Sequence, residues 1–68
     1  MTAFVTYKTA RTVRSYVVDS PKSMWEAINK VLNKGYTVTE VVICDSGISS
    51  IYTLHFDLQG EPILRKFR

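Results

Sequence analysis

Asp19-Ser20-Pro21-Lys22-Ser23-Met24-Trp25-Glu26-Ala27-Ile28-Asn29-Lys30-Val31-Leu32-Asn33-Lys34-Gly35 is the stretch whose reading decides the fold. Ser20 can cap a helix with its hydroxyl, and Pro21 suits the first helical position, where a missing N–H removes no hydrogen bond. At about 100° per residue, Met24, Trp25, Ala27, Ile28, Val31 and Leu32 share one arc of a wheel. Glu26, Asn29, Lys30, Asn33 and Lys34 fill the other. Lys34 falls in the last turn, where a cation complements the helix dipole, and Gly35 follows as a left-handed terminator. The pattern predicts one amphipathic helix over Pro21–Lys34, whose apolar arc requires an apolar surface to cover it.

The flanking sequence supplies that surface. Before the helix, Ala3–Lys8 and Thr12–Val18 are rich in Val, Thr, Tyr and Phe, and the polar break Thr9-Ala10-Arg11 between them reads as a hairpin. After it, Tyr36–Cys44 is nearly all β-branched or aromatic. Asp45-Ser46-Gly47 is a turn signal, Ile48–Leu58 continues as a strand, and Gln59-Gly60 turns again. Ile63–Phe67 makes a last strand with Pro62 at its start. The expected fold is α+β, in the order β-β-α-β-β-β, with one helix on the single apolar face of a mostly antiparallel sheet. Alternation in Ile48–Leu58 is clean, with Tyr52, Leu54, Phe56 and Leu58 on one side. In Tyr36–Cys44 it is broken: Tyr36, Val38, Val42 and Cys44 would share a face, but Glu40 interrupts them and Val41 and Ile43 fall opposite. Either a bulge shifts the register or both faces of this strand carry apolar cover.

Length and composition bound the rest. Sixty-eight residues make a single domain spanning 1–68, expected to be a complete small gene product. Its core is small for its surface. Cys44 is the only cysteine, so no disulfide can form within the monomer, which favours a reducing compartment. Hydrophobic content of 46% with 22% charged residues is that of a globular chain. The run Val41-Val42-Ile43-Cys44 is too short to span a bilayer, and the N-terminus shows no signal peptide, so a cytoplasmic location is expected. The net charge of +3 suits a nucleic-acid or acidic-protein partner and equally suits solubility alone.

Few residues invite chemistry. His55 and Asp57 share a strand face as a base and its orienting carboxylate would, but Ser46, Ser49 and Ser50 lack any elbow or oxyanion motif, and solvent-facing decoration is the favoured reading. A metal site from Cys44, Asp45, His55 and Asp57 lacks the paired spacing that zinc sites use, and Cys44 reads as a small buried hydrophobe. Gly35, Gly47 and Gly60 each fall at a turn or cap, so no phosphate cradle is present. Trp25, at the rim of the helix arc, reads as closing the core rather than as an exposed anchor. No cofactor is implied.

The basic residues fall in two groups, Lys8, Arg11 and Arg14 around the first hairpin and Arg65, Lys66 and Arg68 at the end. If the first and last strands approach one another, these form a patch with Tyr7, Tyr16 and Phe67 available for stacking. The alternative is a set of charged edges that discourages aggregation.

Gly35-Tyr36-Thr37-Val38-Thr39-Glu40-Val41 is similar to a Gly-aromatic-x-Val-Thr-x-Val segment in the small phage T7 inhibitor of bacterial RNA polymerase, which also leaves a helix and enters a strand. That family places a functional arginine where this chain has Glu40, so no functional residue carries over. The layout of strands and helix resembles that of some small anti-CRISPR proteins. The resemblance implies a phage-encoded inhibitor of host machinery. The expectation is therefore a non-enzymatic binding protein that blocks a large host protein or nucleoprotein complex through Arg11, Arg14, Lys30, Lys34, Arg65 and Lys66. The alternatives are a small nucleic-acid-binding module and a structural protein acting as a homodimer.

Overall fold

The structure is a computed structural model and describes residues 1–67. Two strands, β1 (Thr2–Lys8) and β2 (Val13–Val18), precede α1 (Pro21–Asn33). Three follow, β3 (Thr37–Asp45), β4 (Ile48–Phe56) and β5 (Pro62–Lys66). All pair antiparallel in one five-stranded sheet ordered β2-β1-β3-β4-β5, so the α+β reading holds. Because β2 and β3 both run antiparallel to β1, they are parallel to each other, and α1 is the crossover between them.

The helix starts as its sequence dictates. The Ser20 hydroxyl accepts the Ser23 N–H at 3.1 Å, and Pro21 occupies the first turn. The C-terminus differs from expectation by one residue, because Lys34 is the cap rather than the last helical residue. Gly35 N–H then bonds Leu32 C=O at 3.0 Å and Tyr36 N–H bonds Val31 C=O at 3.2 Å, a Schellman ending that needs the positive φ of 77° at Gly35. Tyr36 is thereby held at the helix exit, and β3 begins only at Thr37.

Met24, Ala27, Ile28 and Val31 are buried against Ala3, Val5 and Tyr7 of β1 and Val38 and Val41 of β3. Each fully buried aliphatic among them contributes about 1.5–3 kcal/mol relative to exposure. Trp25 and Leu32 are half-buried beside this core, as are Tyr16 and Val18 of β2. The helix packs on β2, β1 and β3 alone. The expectation that it covers the sheet's apolar face is thus corrected: β4 and β5 extend past it, and their Tyr52, Leu54 and Leu64 are only half-buried.

The broken alternation in β3 is a bulge. Thr6 pairs with Glu40 but Tyr7 pairs with Val38, which leaves Thr39 without a partner in the ladder while its hydroxyl donates to Thr6 C=O at 3.3 Å. The extra residue turns Val38 to the helix side with Val41 and Ile43, away from the face of Val42 and Cys44 with which strict alternation would group it. Two turns set the remaining registers. Ser46 and Gly47, with φ of 50° and 79°, form a two-residue turn of the primed type that closes Asp45 on Ile48. Strand β4 stops at Phe56 rather than Leu58, because the Asp57 carboxylate accepts the N–H groups of Gln59 and Glu61, each at 2.9 Å. Leu58 stands fully exposed at the tip of that turn.

Candidate functional site

Strand order decides which basic residues meet. Strand β1 is internal, with β2 and β3 as neighbours, whereas β5 pairs only with β4 at the far edge. The patch expected from the first and last strands does not form. Arg65 and Lys66 lie on β5, across the whole sheet from Arg11 and Arg14, and Arg68 lies outside the described residues. Phe67 is likewise far from Tyr7 and Tyr16.

At the other edge a site is assembled. Arg11, Arg14 and Lys34 line one concavity of about 430 Å³ together with Tyr7, Thr9, Thr12 and Tyr36. No carboxylate lines it. Each cation is placed by local structure. Arg11 lies in the β1–β2 turn, where Thr9 N–H bonds Thr12 C=O at 2.8 Å. The Thr9 hydroxyl also accepts the N–H groups of Arg11 at 3.2 Å and Thr12 at 3.1 Å, which braces the turn. Arg14 is the cross-strand partner of Tyr7 and so shares its face of the sheet. Lys34 is the helix cap, carried to the same end by the crossover. Lys30, one turn earlier, holds its ammonium 5.8 Å from the centre of the Tyr16 ring.

Tyr7 and Tyr36, which line the site, belong to an aromatic stack. The Tyr7 ring lies 5.3 Å from Tyr16 at 21° and 5.9 Å from Tyr36 at 12°, so three tyrosines form one column from β2 across β1 to the helix exit. Stacked rings of this kind attract one another beyond their buried area, and the column stands beside the cations. Burial raises the Tyr7 phenol above its ordinary value of 10.0; Tyr16 adds to the effect and Arg14 opposes it. Sequence reasoning named Tyr7 and Tyr16 for stacking but missed Tyr36. Its signal was the glycine before it, because the Schellman ending turns Tyr36 back over the sheet.

The other candidates disperse. His55 Nε2 lies 2.8 Å from the Thr53 hydroxyl, and Asp57 is engaged in its own turn, so the two do not meet. Cys44 is half-buried rather than buried, with its sulfur 3.1 Å from the Ser49 hydroxyl. Among the described residues no group of three or more His, Cys, Asp or Glu side chains is placed to hold a metal ion. Among the described residues no helix is long and apolar enough to cross a membrane. What the hairpin end can do chemically is attract and hold anionic groups. Comparison with protein-family models, with curated proteins and with solved structures finds no match to this chain.

Proposed function

We propose that this chain is a non-enzymatic binding protein whose basic hairpin end docks on an acidic surface of a large host protein or nucleoprotein complex. The observation that carries this reading is the convergence of Arg11, Arg14 and Lys34 on one concavity that no carboxylate lines. Two guanidinium forks can each donate two parallel hydrogen bonds to a carboxylate, and the stacked tyrosines stand beside them. Tyrosine and arginine are also the residues that most often carry binding energy at interfaces. Lys30 extends the positive surface along the helix, while Arg65 and Lys66 form a separate basic edge. The role as a cytoplasmic phage or mobile-element inhibitor, such as an anti-CRISPR, rests on the resemblance of layout and works by steric and electrostatic blockade. The test is capture of a host partner on the immobilised chain. Reversal of Arg11, Arg14 and Lys34 to glutamate should abolish capture with the thermal midpoint retained, and undiminished capture overturns the reading.

A nucleic-acid ligand is the second reading, favoured by the tyrosine column beside the cations. It requires binding of single strands that weakens with salt, with a logarithmic slope of about −0.7 for each phosphate contacted. A gel-shift titration without binding at low salt removes it.

A further inference from the structure

The tyrosine column has one finished end and one open end. Tyr7 is only 8% exposed, because Tyr16 covers one side of its ring and Tyr36 the other. At the Tyr16 end the Lys30 ammonium stands 5.8 Å from the ring centre. At the other end Tyr36 is 37% exposed, and among the described residues neither a further ring nor a cation stands over it. Tyr36 lines the concavity that Arg11, Arg14 and Lys34 share, so the open end of the column and the cations meet in one place. The volume of about 430 Å³ falls within the range of about 300–1,000 Å³ that small ligands occupy. Two other concavities, of about 390 and 230 Å³, include Asp19 and Glu26 in their walls, so each sets a carboxylate against an entering anion.

We propose that the hairpin-end concavity binds a single nucleotide unit with a terminal phosphate. Arg11, Arg14 and Lys34 hold the phosphate, and the base stacks on the open side of Tyr36. Charge favours a phosphate here over a carboxylate. A phosphate monoester carries a charge of about −1.5 to −2 at pH 7 and three acceptor oxygens, which three converging cations can match. The two guanidinium forks suit paired phosphate oxygens, and the lysine adds a point charge. The backbone that carries the arginines is set before a ligand arrives. The Thr9 hydroxyl braces the turn at Arg11, and the β1–β2 register fixes Arg14 opposite Tyr7. A ring that offers only its π face reads no base edge, so the site accepts any of the four bases. Phosphate alone has no use for the tyrosine, and an uncharged base has none for the cations. The proposal goes beyond docking on a macromolecule, and shares with that reading only that the three cations act together.

Titration calorimetry of the full chain with the four nucleoside 5′-monophosphates at low salt tests it. Saturable binding is expected whatever the base, with the parent nucleosides and inorganic phosphate each at least about fivefold weaker. No binding by any of the four overturns the proposal, and so does a nucleoside or phosphate that binds as tightly as the nucleotide. Arg11 is exposed in its turn and makes its structural bond through the backbone N–H, so Arg11→Ala should keep the fold. It should weaken binding at least about tenfold. Tyr36→Leu keeps an apolar cover on Tyr7 and should weaken binding at least about fivefold. Lys22→Glu reverses a charge at the far end of α1 from Lys34 and should leave binding nearly unchanged. Binding that survives Arg11→Ala and Tyr36→Leu, or that falls as far in Lys22→Glu, overturns the proposal. Short single strands with and without a 5′-phosphate separate the two sources of such a unit. A phosphorylated strand that binds more tightly than free nucleotide assigns the site to strand ends; the reverse order assigns it to free nucleotide. Strand binding that ignores the terminal phosphate, without binding of free nucleotide, overturns it. Capture of a host partner is a separate measurement, so either reading can fail while the other stands.

Discussion

Tyr7 belongs at once to the core and to the basic site, and its phenol reports on both. Its raised pKa means that the folded chain holds the proton more tightly than the unfolded chain. The stabilisation is fully present below pH 10.0 and is lost as pH rises through the folded value. Alkaline unfolding followed by tyrosinate absorbance should therefore show this chain losing stability above that pH, and Tyr7→Phe should flatten the dependence. The core residues allow a blunter prediction. Ile28 is fully buried at the centre of the helix arc, and truncation to alanine should cost about 2–5 kcal/mol. A core of this size supplies only about 3–5 kcal/mol in total, so Ile28→Ala should be largely unfolded by circular dichroism. The role of Ile28 was legible in the helical spacing of the sequence. That of Tyr36 was not, because its stacking partner Tyr7 lies 29 positions earlier in the chain and meets it only through the fold.

Elements with local instructions were read well from sequence, and elements with distant partners were not. Ser20, Pro21 and Gly35 set the helix ends through bonds to residues within five positions, so the sequence alone located them. Removal of the cap in Ser20→Ala should cost about 1 kcal/mol, measured as a shift in urea midpoint at constant slope. The turn at Ser46-Gly47 is local in the same way. A Cβ at Gly47 would meet no neighbouring atom within 4 Å, so Gly47→Ala isolates the backbone strain of a positive φ, about 1–2 kcal/mol. The bulge at Thr39 showed in the sequence as the interruption at Glu40, and the structure adds which side each residue takes. Strand order had no such signal. Whether β1 accepts β3 on its free edge depends on where the crossover returns the chain, and that one unread step misplaced the basic patch.

For the whole molecule, the helix covers three strands of five, and this asymmetry separates its surfaces by chemistry. Cations and tyrosines gather at the hairpin end beside the helix, and an apolar row of Val17, Phe4, Val42 and Ile51 crosses the opposite face. Salt should weaken partner capture at the basic end, where surface charges are screened. The central claim is that the hairpin end, rather than the β5 edge, makes the functional contact. It is tested most directly by comparing partner capture from host lysate on three immobilised chains of equal thermal midpoint. These are the parent, a variant with Arg11, Arg14, Lys30 and Lys34 reversed to glutamate, and a variant with Arg65 and Lys66 reversed. The account predicts that capture survives in the third and disappears in the second. Capture that persists with all four hairpin-end charges reversed would contradict it.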